Sequence, residues 1–219
     1  MSDWSDVELQ DEILEEQDSG IWLSIGDLMS GLLMFFALLF ITVMVQLKQY
    51  QEAFDNLPLV ILNTLREEVP GGDQLKVDTK TGDVSIADAI LFDEGSAELK
   101  PQGKKFLRNF IPVYSQVIFS NEKFENSITR VIIEGHTSSK GTEKNNMELS
   151  LRRSVSVADY ISSIDFATQD KFNKKLLAAG RGEIDADQTS DQPSDRKVVF
   201  RFQLKQQNLW ESIKKQAEN

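Results

Sequence analysis

The 219-residue chain contains no cysteine. That excludes disulfides, thiol nucleophiles and cysteine-ligated zinc, and leaves the compartment open. One histidine, His136, is too few for a histidine-rich metal site. Basic residues are scarce and unevenly placed: none precedes Lys48, and the formal net charge is −11. A nucleic-acid surface needs a concentrated basic patch, so no nucleic-acid partner is expected. The sequence has no glycine-rich nucleotide loop and no evident nucleophile–base pair, so no enzyme active site is expected within it.

What is present is a long apolar run. Ile21 to Leu47 reads IWLSIGDLMSGLLMFFALLFITVMVQL, with no base and one acid, Asp27. A bilayer core about 30 Å thick takes roughly 20 apolar residues as helix. The run is too long for a signal-peptide core and no basic segment precedes it, so it is read as a retained transmembrane helix. Trp22 sits where an interfacial aromatic belongs. Two readings of Asp27 stand. A carboxylate at the centre of a membrane helix costs about 2.5–3.5 kcal/mol on insertion scales, so such residues usually face protein and have a function. Alternatively, Leu28–Leu47 spans alone and Asp27 lies at the membrane edge, favoured by the helix N-terminus. Gly26, Ser30 and Gly31 cluster with Asp27 at i,i+4 spacing, and small residues so placed let another helix approach closely.

Residues 1–20 carry eight acids and no base and are read as a flexible acidic tail. By charge alone, Lys48 beyond the far end of the helix favours an N-terminus outside. Residues 48–74 form a linker. The apolar spacing continues through Tyr50, Phe54 and Leu57 and breaks at Pro58. A short helix follows over 59–69, ended by Pro70-Gly71-Gly72. Lys76-Val77 and Val84-Ser85-Ile86 flank a turn at 79–83, the pattern of a hairpin. Phe106, Leu107, Phe110, Ile111, Tyr114, Val117 and Ile118 recur at helical spacing, with Pro112 a potential kink. Residues 130–134 are a strand. Residues 143–163 are a helix with Met147, Leu151, Val155, Ala158 and Ile161 as its apolar stripe. Residues 176–179 are a short strand, 185–195 a polar loop, and 198–204 alternate as a last strand. A helix over 208–217 closes the chain. Strands and helices alternate as in an α/β sandwich.

Residues 135–153 read GHTSSKGTEKNNMELSLRR. Gly135, His136, Thr137, Gly141, Asn146, Leu149, Ser150 and Arg153 match, without a gap, the signature of OmpA-like peptidoglycan-binding domains. LFDEGSAELKP at 91–101, Gly180-Arg181-Gly182-Glu183 and Asp195-Arg196-Lys197-Val198 resemble the flanking motifs. The resemblance covers about residues 75–205 and implies an α+β sandwich whose pocket uses Thr137, Asn146, Arg153 and Arg196. The chemistry fits a stem peptide, because carboxylates are well held by an arginine fork and by backbone N–H groups. Ser138 departs from the family, which has there the acid that pairs with the diaminopimelate ammonium. Serine cannot replace that charge, so the ligand preference at this position is open. His136 is read as a packed structural residue at a strand end.

A single membrane helix with an intramembrane Asp, followed by such a domain, resembles MotB-type stator subunits. SIGDLMSGLLMFFALLF is closer still to the MotB-like component of Zorya anti-phage systems. The resemblance implies two copies within a ring of a MotA/ZorA-like multi-span partner, H⁺ or Na⁺ crossing at Asp27, and no other cofactor. It also implies a cytoplasmic N-terminus and a periplasmic domain attached to peptidoglycan, against the charge cue. A flagellar MotB-like or TolR-like force transducer and a passive membrane-to-wall tether remain alternatives.

Overall fold

The computed structural model describes residues 4–205, so the expected helix at 208–217 lies outside the described residues. The chain divides into two compact units, residues 1–53 and 54–219. Helix α1, Trp4–Glu68, begins within the stretch expected to be a flexible tail and passes through Pro58 instead of stopping there. Proline removes one ladder hydrogen bond, and the burial of Leu57, Ile61 and Leu65 around it offsets that loss. The short helix expected at 59–69 is the end of α1. Within it, Trp22–Gln49 is long and apolar enough to cross a membrane, with mean hydropathy 2.5, and every residue of it is exposed.

The second unit starts with the last turns of α1. Leu57, Ile61 and Leu65, at i,i+4 spacing, are buried in its core. Each buried aliphatic side chain of this size contributes about 1.5–3 kcal/mol. After a 3₁₀ turn at Gly72–Gln74 come β1 (Lys76–Val77), β2 (Val84–Ala87), α2 (Asp88–Leu91) and α3 (Pro101–Ile118). Next are α4 (Glu122–Ser127), β3 (Ile128–His136), α5 (Glu143–Ser163), α6 (Gln169–Lys175), β4 (Leu176–Gly182), a second 3₁₀ turn at Pro193–Asp195 and β5 (Lys197–Leu204). The sheet order is β1-β2-β5-β3-β4. β3 and β4 are parallel and the other pairs antiparallel. A parallel pair needs a crossover, which α5 and α6 supply. The expected hairpin, long helices and alternating last strand are all present, and α2, α4 and α6 are short helices in addition to them. Phe110, at ring-centroid distances of 5.3 Å from Tyr114 and 5.0 Å from Phe200, joins α3 to the sheet.

Helix α5 departs from its apolar spacing in its first half: Met147 is half-buried and Leu151 and Val155 are exposed, while Ala158 and Ile161 of the same stripe pack into the core. Its buried residues are Asn146, Ser150, Arg153, Ser154, Val157 and Ile161. The cause is a trough in the sheet. Gly135 of β3 pairs with Gly180 of β4. A Cβ on Gly135 would lie 2.1 Å from the Ser150 carbonyl oxygen, and one on Gly180 would lie 2.8 Å from the Leu151 nitrogen. The helix backbone rests on the two glycines, and at that separation only small side chains fit underneath.

Candidate functional site

β3 ends at His136, and the Thr137 N–H donates to the Gly182 carbonyl at 2.9 Å. The chain then turns through Ser138–Gly141 into α5. Gly141 has φ +116, a backbone conformation side-chain-bearing residues rarely adopt, and lies over the Asn146 amide. Thr142 caps α5, its Oγ1 accepting from the Asn145 N–H at 3.3 Å. Asn146 Nδ2 donates to the Ser138 carbonyl at 3.3 Å and to the Glu183 carboxylate. This one amide therefore ties the motif loop to the end of β4.

The loop faces a cavity of about 780 Å³. Thr137, Ser138, Asn146, Arg153 and Arg196, brought from three parts of the chain, all line it. Its size falls within the usual range of ligand sites. The opposite wall is α2 and the turn after it, including Asp88, Phe92 and Asp93, with Lys100 beyond.

Arg153 is placed differently from the free fork its spacing suggests. Its side chain is only 2% exposed. Nε donates to the Ser96 carbonyl at 2.8 Å, and Nη2 meets Asp88 Oδ2 at 3.1 Å and the Asp93 carbonyl at 3.4 Å. The guanidinium carbon stands 5.2 Å from the Phe92 ring centroid. Arg153 thus pins the 88–96 segment against α5 while lining the cavity. Burial pushes its guanidinium down from the ordinary arginine value, opposed by Asp88.

Asp88 was not singled out by the sequence reading. The available signal was an acid inside the apolar stretch Ile86–Phe92, a position where a buried polar group must find partners. Its N–H donates to the Arg196 carbonyl at 3.0 Å. Oδ2 is held by Arg153, but Oδ1, although buried, has no hydrogen-bond partner among the described residues. Thr137 Oγ1, also buried, is likewise unpartnered. Burial pushes the Asp88 carboxyl up, opposed by Arg153, Arg196 and Lys100.

The other cavity cations are matched. Lys100 lies 3.8 Å from Asp93, Lys140 3.4 Å from Glu94 and Arg196 3.1 Å from Asp191. The Ser138 hydroxyl and then Arg196 and Lys140 hold the Asp191 carboxyl below its usual value. His136 is packed away from the cavity lining. It is buried, with Nε2 at 3.6 Å from Glu134 and Nδ1 at 3.6 Å from Asp185, two acids that also meet Arg201 and Arg181.

Gly26, Asp27, Ser30 and Gly31 belong to the other unit. Ser30 Oγ donates back to the Gly26 carbonyl at 2.7 Å, so its polarity is satisfied within the helix. A Cβ on Gly26 or Gly31 would meet nothing within 4 Å. Asp27 shares a shallow groove with Ser24, Leu28, Gly31, Leu32 and Phe35.

The OmpA family profile matches residues 91–199. The Zorya protein ZorB of Escherichia coli is 32% identical over 212 residues, covering 85% of this chain and 89% of that protein. A MotB-like protein from Desulfovibrio vulgaris superposes with TM-score 0.54 at 21% identity, over 72% of this chain and 98% of that one, a likeness of fold.

Proposed function

The chain belongs to the ZorB family, and on that premise we propose that it is a peptidoglycan-anchored stator subunit of an ion-driven motor in a bacterial inner membrane, serving anti-phage defence. The observation that supports this reading is the likeness to ZorB across 85% of the chain, taken with an apolar helix that carries one acid and a domain whose motif residues line one cavity. A wall-binding module alone would not need an intramembrane carboxylate, and an ion carrier alone would not need an OmpA-family domain.

In this reading α1 crosses the membrane once, with its N-terminus in the cytoplasm and the OmpA-like domain in the periplasm. Two copies sit within a ring of a ZorA-like multi-span protein, and the small-residue face at Gly26, Ser30 and Gly31 admits a neighbouring helix. Asp27 carries the ion, a proton. Protonation removes the Asp27 charge and release restores it, and each change alters the fit of the helix to its partners. One charge crossing 100 mV supplies about 2.3 kcal/mol, enough to bias a two-state motion. The cavity at 137–153 grips the stem peptide and converts relative motion into work against a fixed wall.

The test for the wall-binding half is sedimentation of the full-length protein, in detergent, with purified sacculi. Co-sedimentation is expected, and absence of any wild-type co-sedimentation removes the anchor from the reading.

A further inference from the structure

The cavity has an unusual charge arrangement. Each lining cation already faces a carboxylate: Lys100 with Asp93, Lys140 with Glu94, Arg153 with Asp88 and Arg196 with Asp191. An incoming anion would compete with protein acids at every one of them. Two acceptors, in contrast, stand buried and unused. Asp88 is 6% exposed and Thr137 4%, and among the described residues neither Asp88 Oδ1 nor Thr137 Oγ1 has a hydrogen-bond partner. Buried polar atoms are nearly always paired; the Asp88 carboxylate oxygen can only accept and the Thr137 hydroxyl can accept as well as donate, so a donor is the partner that both can take. At position 138, where the motif calls for an acid, the side chain is a neutral hydroxyl.

We propose that Asp88 is the cation receptor of this cavity, and that a primary ammonium of a peptidoglycan stem peptide docks on its Oδ1 beside Thr137 Oγ1. The assignment rests on the peptidoglycan reading and adds to it the residue of this chain that receives the ammonium. An ammonium brings three donors and no acceptor, matching two acceptors and leaving one donor for water. Asp88 is held to receive it: its N–H is bonded to the Arg196 carbonyl at 3.0 Å and its Oδ2 is fixed by Arg153 at 3.1 Å. The carboxylate lost at 138 is thus supplied from α2, about fifty residues earlier in the chain. Asp191 also lies near Ser138, but Arg196 Nη1 already bonds both its oxygens, at 3.1 and 3.4 Å.

The test compares native sacculi with sacculi whose free amines have been acetylated. Acetylation removes the charge while leaving the glycan and the carboxylates. The full-length protein in detergent is sedimented with each. The wild type is expected to bind acetylated sacculi at least about tenfold more weakly, and Asp88→Asn to bind both alike, at the weaker level. Asp191→Asn is expected to keep the wild-type contrast. The wild-type comparison needs no variant, so it stands even if Asp88→Asn loosens the fold by stranding Arg153. Equal wild-type binding to both sacculi overturns the ammonium assignment while leaving peptidoglycan binding intact. A contrast that persists in Asp88→Asn, or vanishes only in Asp191→Asn, overturns the choice of Asp88. A wild type that binds neither overturns the peptidoglycan reading, and this proposal with it.

Discussion

Arg153 is the residue on which the cavity wall depends. Its guanidinium is almost completely buried and holds Asp88, two main-chain carbonyls and the face of Phe92. Breaking a buried ion pair from one side leaves the other charge uncompensated, typically at a cost of 3–5 kcal/mol. Arg153→Ala is therefore expected to lower unfolding stability by about 3–5 kcal/mol as well as to weaken wall binding. Urea unfolding checks this; a loss under about 1 kcal/mol would return Arg153 to the role of a simple ligand fork. Its motif position was legible in the sequence, but its partner was not, because Asp88 reaches it only through the fold. The acids around His136 make a second prediction. Glu134 is held low by His136 and then by Arg201, and Asp185 by Arg181, while Thr189 and Ser190 hold Asp187 at about 2. A lowered folded value means the unfolded chain takes up protons first as pH falls. The stabilisation is present above the ordinary carboxylate range and is lost as pH drops through the folded values. Asp88, pushed up by burial, acts in the opposite sense: its contribution is present below the ordinary value and lost as pH rises through the raised one. Because the lowered acids outnumber it, the thermal midpoint is expected to fall between about pH 5 and pH 2. A midpoint unchanged over that interval would contradict the ion-pair account.

At the scale of elements, α5 shows what hydrophobic spacing could and could not reveal. Its length and start were legible, since Thr142 is a capping residue and the following positions keep helical spacing. Its phase in the first half was not. Met147, Leu151 and Val155 are the most apolar stripe, yet the helix turns Ser150 and Ser154 inward because Gly135 and Gly180 bring the sheet backbone against it. Ser150 is further committed: its hydroxyl donates to the Met147 carbonyl at 2.8 Å and accepts from the Gly182 N–H at 2.9 Å. Gly135→Ala is accordingly expected to cost at least about 3 kcal/mol, since its Cβ would overlap the Ser150 carbonyl and neither backbone can yield. Leu151→Gln is expected to change stability by no more than about 0.5 kcal/mol. Chemical denaturation of the two variants distinguishes the phases, and the reverse order of severity would put the apolar stripe inside. Helix α1 gives a related lesson. Pro58 reads as a stop, but Leu57, Ile61 and Leu65 are all buried, and their packing holds the helix through it.

At the scale of the whole molecule, an acid in an apolar helix is joined to an OmpA-like domain with a cavity at its motif loop. The domain was legible because its motif residues keep fixed spacing and line one cavity, apart from the role of Asp88. The helix was legible from composition, but what Asp27 does depends on partner helices that one chain does not contain. If α1 packs beside a second copy, single cysteines placed along residues 24–45 of this cysteine-free chain should crosslink between copies with helical periodicity. Crosslinking without a period, or none, would favour a passive anchor. The most direct measurement is protection of cells against phage by Asp27→Asn, with expression, membrane insertion, partner assembly and sacculus binding monitored in parallel. Asn keeps the size and polar contacts of Asp and caps helix N-termini about as well, but it cannot release a proton. The account predicts a normally assembled, wall-bound complex with no protective activity. Full protection by that same assembled variant would contradict it and leave a tether between membrane and wall.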